Sequence, residues 1–287
     1  MAKTAYLVLE NGKVFTGECF GFEAEAVGEL VFQTGVVGYL ENLTDANYKG
    51  QMVVQTFPLI GNYGFIPEDV VNEKPYLSAY IIKELCQEPS NFRSQGVLDT
   101  FLKESKVPCL TGVNTRQLTR ILRTEGTQNA KLCLDKPNVD EVVKELKGYK
   151  IENAVAQVTC EKAFTVKAEN AKYKVAIWDF GVRNGIRQKL VDMGCEVVTV
   201  PANATAKEIL ALDAQGIVLS NGPANPEDNA AIIAEIGEVC KAKKPMLAIG
   251  LGHQMLAMSQ GASVKKLLHG HHGNQPVTET ATKRVYI

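Results

Sequence analysis

The stretch from Leu247 to Ala257 reads LAIGLGHQMLA. A short apolar run behind Pro245 leads into a Gly-x-Gly turn, and the residues after it have the apolar spacing of a helix. That is the layout of a nucleophile elbow, where a strand turns sharply into a helix and lifts one reactive Ser or Cys into a pocket. The residue at the tip is Gly250, which carries no side chain. Upstream lies a second turn-forming stretch, Ser220-Asn221-Gly222-Pro223-Ala224-Asn225-Pro226. Read singly, each stretch is equally an ordinary turn without chemistry.

The elements around these turns say what must position them. From Tyr173 onward, the apolar runs KVAIWD, CEVVTVP, GIVLS and PMLAIG alternate with the helical patterns VRNGIRQKLVDMG, TAKEILAL, EDNAAIIAEIGEVCKA and HQMLAMSQG. Such alternation predicts βαβ units and a mostly parallel sheet covered on both faces. Ligands of such sheets bind outside the carboxyl ends of the strands. Three loops leave those ends: Asp179-Phe180-Gly181, Ser220 to Pro226, and Gly250-Leu251-Gly252-His253.

The first half opens differently. AYLVLE and KVFTGECFGF flank Asn11-Gly12, a hairpin signal, and GELVFQTGVVGY adds a further β-rich run. Helical periodicity is read in SAYIIKELCQ, QGVLDTFLKES and TRQLTRILRTEG. In the last of these Leu118, Ile121 and Leu122 share a face and Gly126 supplies the stop. The predicted fold class is α/β, with an N-terminal α+β domain over residues 1–150, a linker over 151–172 and the βαβ domain over 173–287.

Composition narrows the function classes. The 287 residues are 45% hydrophobic and 22% charged, with a net charge of -1, which gives no electrostatic pull toward nucleic acid or anionic membrane. No apolar stretch approaches the roughly 20 residues of a spanning helix, and MAKTAYLVLENG lacks a signal-peptide core. The expected localisation is cytoplasmic. Cys19, Cys86, Cys109, Cys133, Cys160, Cys195 and Cys240 are scattered without a C-x-x-C pair, which predicts reduced thiols rather than a disulfide framework or zinc site.

Together the two loops resemble the class I glutamine amidotransferase signatures, an S-N-G-P-G-D-P loop and a G-I-C-L-G-H-Q elbow. Here they read Ser220 to Pro226 and Ala248 to Gln254. VLENGKVFTGECFG, GELVFQTGVVGYLENLTDANYKGQMVVQTFPLIGNYG and TGVNTRQLTRILRTEGTQNAKL resemble the N-terminal domain of the small subunit of glutamine-dependent carbamoyl phosphate synthetase. The resemblance implies that the second domain is flavodoxin-like. It implies a subunit in which a Cys thiolate attacks the glutamine amide, ammonia leaves, and water releases glutamate from the thioester. A distal His and Glu act as base and orienter. The ammonia passes to a large-subunit partner in a heterodimer, which uses ATP, Mg and bicarbonate to make carbamoyl phosphate for pyrimidine or arginine biosynthesis. No cofactor or metal is implied in this subunit.

Position by position, the resemblance assigns backbone N–H donors of the glutamine pocket to Gly222 and Ala224, an oxyanion donor to Leu251 and a substrate contact to Gln254. Asn47, in Asp45-Ala46-Asn47-Tyr48, stands where the family has Ser. Ala224 replaces a glycine and is expected to be tolerated with a negative φ. Gly250 replaces the nucleophile, Ala248 replaces an elbow glycine, and the sequence ends at RVYI, before the family's Q-N-H-G segment and distal His and Glu. The amidotransferase domain is therefore expected to be incomplete, catalytically inactive as a glutaminase, and less stable than its full-length relatives. Two readings follow: a truncated or altered glutaminase subunit, and a non-catalytic docking or regulatory module.

The remaining candidates have bland readings beside sharp ones. His269, His271 and His272 in HGHH could bind metal, but the family carries a similar metal-free G-H-x-G stretch. His253 reads as a helix-start residue packed near the site, and Cys240 as a core or surface thiol. Arg116 and Arg120, one helical turn apart, form either a solvated face or a contact with the large subunit. Asn114 stands where the family has Asp.

Overall fold

The computed structural model describes residues 3–271 and 275–287. The first half carries strands β1 (Thr4–Leu9), β2 (Val14–Gly21), β3 (Ala26–Gln33), β4 (Gln51–Gln55), β5 (Leu59–Ile60), β6 (Ala79–Ile81), β7 (Glu84–Leu85), β8 (Pro108–Thr111) and β9 (Gln128–Cys133). Its helices are α1 (Tyr39–Leu43), α2 (Leu98–Glu104), α3 (Thr115–Glu125) and α4 (Val139–Gly148). Strands β1-β2-β8-β6-β4-β3-β9 close into a barrel, while β5 and β7 pair separately.

Side-chain alternation along each strand divides the barrel's apolar residues between two cores. Met52 and Val54 on β4 join Leu7, Leu30 and Leu132 in a cluster that receives Leu118, Ile121 and Leu122 of α3. Val53, between them, packs with Tyr39, Leu43 and Leu98 of α1 and α2 in a second cluster. The i, i+3, i+4 stripe of α3 is thus its buried face, and Gly126 at φ 95 ends the helix.

The SAYIIKELCQ segment is not a helix. Ala79, Tyr80 and Ile81 form a barrel strand flanked in parallel by β4 and β8, buried on both faces. A short continuous apolar run fits a buried strand as well as a helix, and the flanking strands decided it.

The second half holds β10 (Phe164–Val166), β11 (Tyr173–Asp179), β12 (Cys195–Pro201), β13 (Gly216–Leu219) and β14 (Met246–Ala248) in the order β10-β12-β11-β13-β14. All pairs are parallel except β10 with β12, so the connecting segment 151–172 contributes an antiparallel edge strand. Helix α5 (Asn184–Asp192) covers one face through Ile186 and Leu190. Helices α6 (Ala206–Ala211), α7 (Ala230–Cys240) and α8 (Leu251–Ser259) cover the other through Ile209, Ile236 and Met255. Val285–Tyr286 forms β16 and pairs only with β15 (Val277–Thr278), in an exposed hairpin apart from the main sheet.

Candidate functional site

Strand β11 pairs with β12 on one side and β13 on the other, so the strand order reverses at β11. The crevice at the carboxyl ends of β11 and β13 is the place such a sheet offers a ligand. The three loops meet there, tied together by Ser220. Phe180 N donates to Ser220 Oγ (2.9 Å), Ser220 Oγ donates to Asn221 O (2.8 Å), and Gly252 N donates to Ser220 O (3.0 Å).

Asp179 shapes the first loop. Its Oδ1 accepts from the N–H groups of Gly181 (2.9 Å) and Val182 (2.8 Å), and its Oδ2 accepts from Cys160 N (2.8 Å). These bonds occupy both carboxylate oxygens with backbone donors, so Asp179 organises the loop. Burial, followed by the Asp179 charge, pushes the Cys160 thiol up to about 11. At neutral pH it is a thiol, not a nucleophilic thiolate.

Asn47 is brought to the site from the barrel half. Asn221 Nδ2 donates to Asn47 Oδ1 (3.0 Å) and to Gly181 O (2.9 Å). Asn221 is 5% exposed, and its Oδ1 has no partner among the described residues. Asn47 in turn is held by Asp45, whose Oδ1 accepts from Asn47 N (3.0 Å) and whose carboxylate pairs with Arg183. The Asn221 and Arg183 contacts join the two halves; Asn221 was read only as part of its signature loop, with no role of its own, and Arg183 was not singled out from the sequence. Their partners lie 174 and 138 positions away, beyond any spacing argument.

The elbow itself is present. Gly250 sits between β14 and α8 at φ 53, ψ -116, a backbone geometry that side-chain-bearing residues rarely adopt. Leu251 is the buried first residue of α8, where a backbone N–H has no helical acceptor. A Cβ on Gly252 would lie 2.5 Å from Leu219 O, and one on Gly222 would lie 2.2 Å from Phe180 O. Both glycines are required by backbone approach.

Other expectations change. Ala224 lies at φ 76, not at the negative φ expected for a tolerated alanine; the loop between Pro223 and Pro226 holds it in the left-handed region. His253 is exposed on the first turn of α8 rather than packed, because the buried stripe there is Leu251, Gly252 and Met255. Gln254 is also exposed, with its N–H bonded to Gly250 O in helical fashion (3.1 Å). Cys240 packs half-buried against the core of α7. His269 tilts against Phe32 at 5.4 Å between ring centroids, and its ring lies 6.2 Å from that of His271. His272 falls outside the described residues. No helix among the described residues is long and apolar enough to cross a membrane.

Chemically, the arrangement offers backbone N–H groups and amide side chains around a tip that carries no nucleophilic side-chain atom. Residues 7–132 match the carbamoyl-phosphate synthase small chain, CPSase domain, and residues 176–286 match glutamine amidotransferase class-I. The carbamoyl phosphate synthase small chain of Clostridium perfringens is 43% identical over 284 residues, covering 99% of this chain and 80% of that one. The carbamoyl phosphate synthase pyrimidine-specific small chains of Bacillus subtilis and Halalkalibacterium halodurans are 43% and 41% identical. They cover 97% and 98% of this chain and 76% and 77% of their own length. With both halves matched in order and identity sustained along the chain, this protein belongs to the carbamoyl phosphate synthase small chain family.

Proposed function

We propose that this chain docks on a large synthase subunit but does not hydrolyse glutamine, so that the complex makes carbamoyl phosphate from free ammonia. The observation that carries the reading is Gly250, which keeps the elbow backbone while offering no thiol. The strand order β12-β11-β13-β14 fits a flavodoxin-like amidotransferase half, with Gly222 and Ala224 on a carboxyl-end loop, Leu251 and Gln254 in the first turn of α8, and Asn47 reaching in from the barrel half. Asn47, Gly222, Ala224, Leu251 and Gln254 would line a glutamine pocket in this reading.

In a glutaminase of this family, thiolate attack on the amide carbon forms the thioester as the C–N bond breaks and ammonia leaves with a proton. Water then breaks the C–S bond and releases glutamate. Without the thiolate the first bond cannot form, and backbone donors that polarise the carbonyl supply no nucleophile in its place. The test is glutamate release by the purified chain supplied with glutamine. The expected result is no release above the protein-free background, and sustained enzyme-dependent release overturns the proposal.

A further inference from the structure

Helix α3 turns Arg116, Arg120 and Arg123 outward at i, i+4 and i+7, within one narrow stripe opposite its buried leucines. None of the three guanidinium groups makes an ion pair among the described residues. The helix's one acidic residue, Glu125, is engaged by Lys13 (2.8 Å) and Asn11 (2.7 Å). In a chain of net charge -1, this stripe is a local concentration of uncompensated positive charge.

The face continues beyond the helix. Arg123 shares a hollow with Phe32, Thr34, His269 and His271. Two and three residues past Thr34, Val36 and Val37 are 60% and 72% exposed. Their turn is anchored on both sides: Gln55 Nε2 donates to Gly35 O (2.7 Å) and Gly38 N donates to Tyr63 Oη (2.9 Å). Branched apolar side chains held out on a braced turn, two and three residues from the Thr34 that shares the hollow of Arg123, together with unpaired arginines have the composition of a protein interface, with an apolar contact and arginine anchors. A phosphate backbone would satisfy the arginines and leave the valines in water, so the charge pattern favours a protein partner.

We propose that this face, α3 with the Thr34–Gly38 turn, is where the chain docks on the large synthase subunit, against a surface that presents carboxylates around an aliphatic contact. The proposal rests on the docking reading given above. The experiment measures binding of the full chain to the purified large subunit of the same organism by biolayer interferometry. The parent chain is compared with R116E/R120E/R123E, with V36D/V37D, and with a control reversal on α4, K144E/K147E.

Both face variants are expected to bind about 30-fold or more weakly, and the control to stay within about 3-fold of the parent. All the substituted side chains except those of α4 lie on the proposed face, and all are exposed, so melting temperatures should remain near the parent's. Should charge reversal perturb folding, R116Q/R120Q/R123Q provides the same comparison without it. Parental affinity in either folded face variant overturns the proposed face and leaves the docking reading intact. Absence of binding by the parent overturns the docking reading and the face with it. Self-association of the parent that the arginine variant abolishes, without large-subunit binding, assigns the face to a second copy and likewise overturns the proposal.

Discussion

At the scale of single residues, Gly250 joins the absence of a side chain to a backbone conformation that favours that absence. An elbow nucleophile endures a backbone conformation that costs of order 1–3 kcal/mol, tolerated because the site requires it. At φ 53, ψ -116 a glycine adopts such a conformation with little strain, so the tip of this elbow needs no compensation from the rest of the site. A Cβ at 250 would meet only Asn221 Cβ, at 3.6 Å, and Asn221 Cα, at 3.8 Å, both ordinary contacts. Gly250→Cys is therefore expected to fold with a loss of about 1–2 kcal/mol, set by backbone strain alone. Its thiol should be alkylated by a glutamine-like chloroketone faster than by a chloroketone lacking the amino-acid portion, as read by intact mass. Equal labelling by both reagents would show that no glutamine pocket surrounds the tip. Ala224 holds the opposite trade, a side chain where φ 76 favours glycine. Ala224→Gly should raise stability by about 0.5–1 kcal/mol in chemical denaturation, and a loss of stability would contradict the strain assigned to it. The composition of the loop made it visible in the sequence. The sign of φ at 224 was not, because alanine by itself prefers negative values.

Among elements, the alternation of apolar runs and amphipathic helices after Tyr173 was readable because a parallel sheet buries its strands on both faces and its helices on one. The barrel was less so. Its central strands are short, and Ala79–Ile81 lies in a run whose spacing suits either secondary structure until the flanking strands are known. The strap of residues 260–271 that follows α8 was the least legible, since it forms no helix or strand and makes contacts on the other half. Lys266 Nζ reaches Glu29 Oε1 at 2.7 Å, and Thr127 N donates to Leu268 O at 3.1 Å. Burial pushes the Glu29 carboxyl up. The Lys266 ammonium, with Gln51 and Thr127 donating to the carboxylate, outweighs burial and holds it below its ordinary range. A lowered folded value means that the contribution is present above the unfolded pKa of about 4.3 and is lost as pH falls through the folded value. The strap is therefore expected to stay docked at neutral pH and to loosen in acid below that range. In Lys266→Met it should loosen at higher pH, as read by hydrogen exchange at the Thr127 amide. An unchanged exchange profile in that variant would remove the ion pair from the account.

Across the whole molecule, polar contacts at the site itself couple the barrel to the sheet, beside the Lys266–Glu29 and Thr127–Leu268 contacts described above. Asn47 with Asn221 and Asp45 with Arg183 bring the first half's 45–48 turn against the loops of the second. In the function proposed above, a chain with an unreactive tip but an intact junction keeps the shape by which it docks without the chemistry of the site. The complex with the large synthase subunit separates docking from glutamine hydrolysis. Carbamoyl phosphate formation is measured with ammonia and with glutamine as alternative nitrogen sources. The account predicts turnover with ammonia and, with glutamine, no more than the rate seen without any nitrogen source. A glutamine-dependent rate approaching the ammonia-dependent one would contradict it.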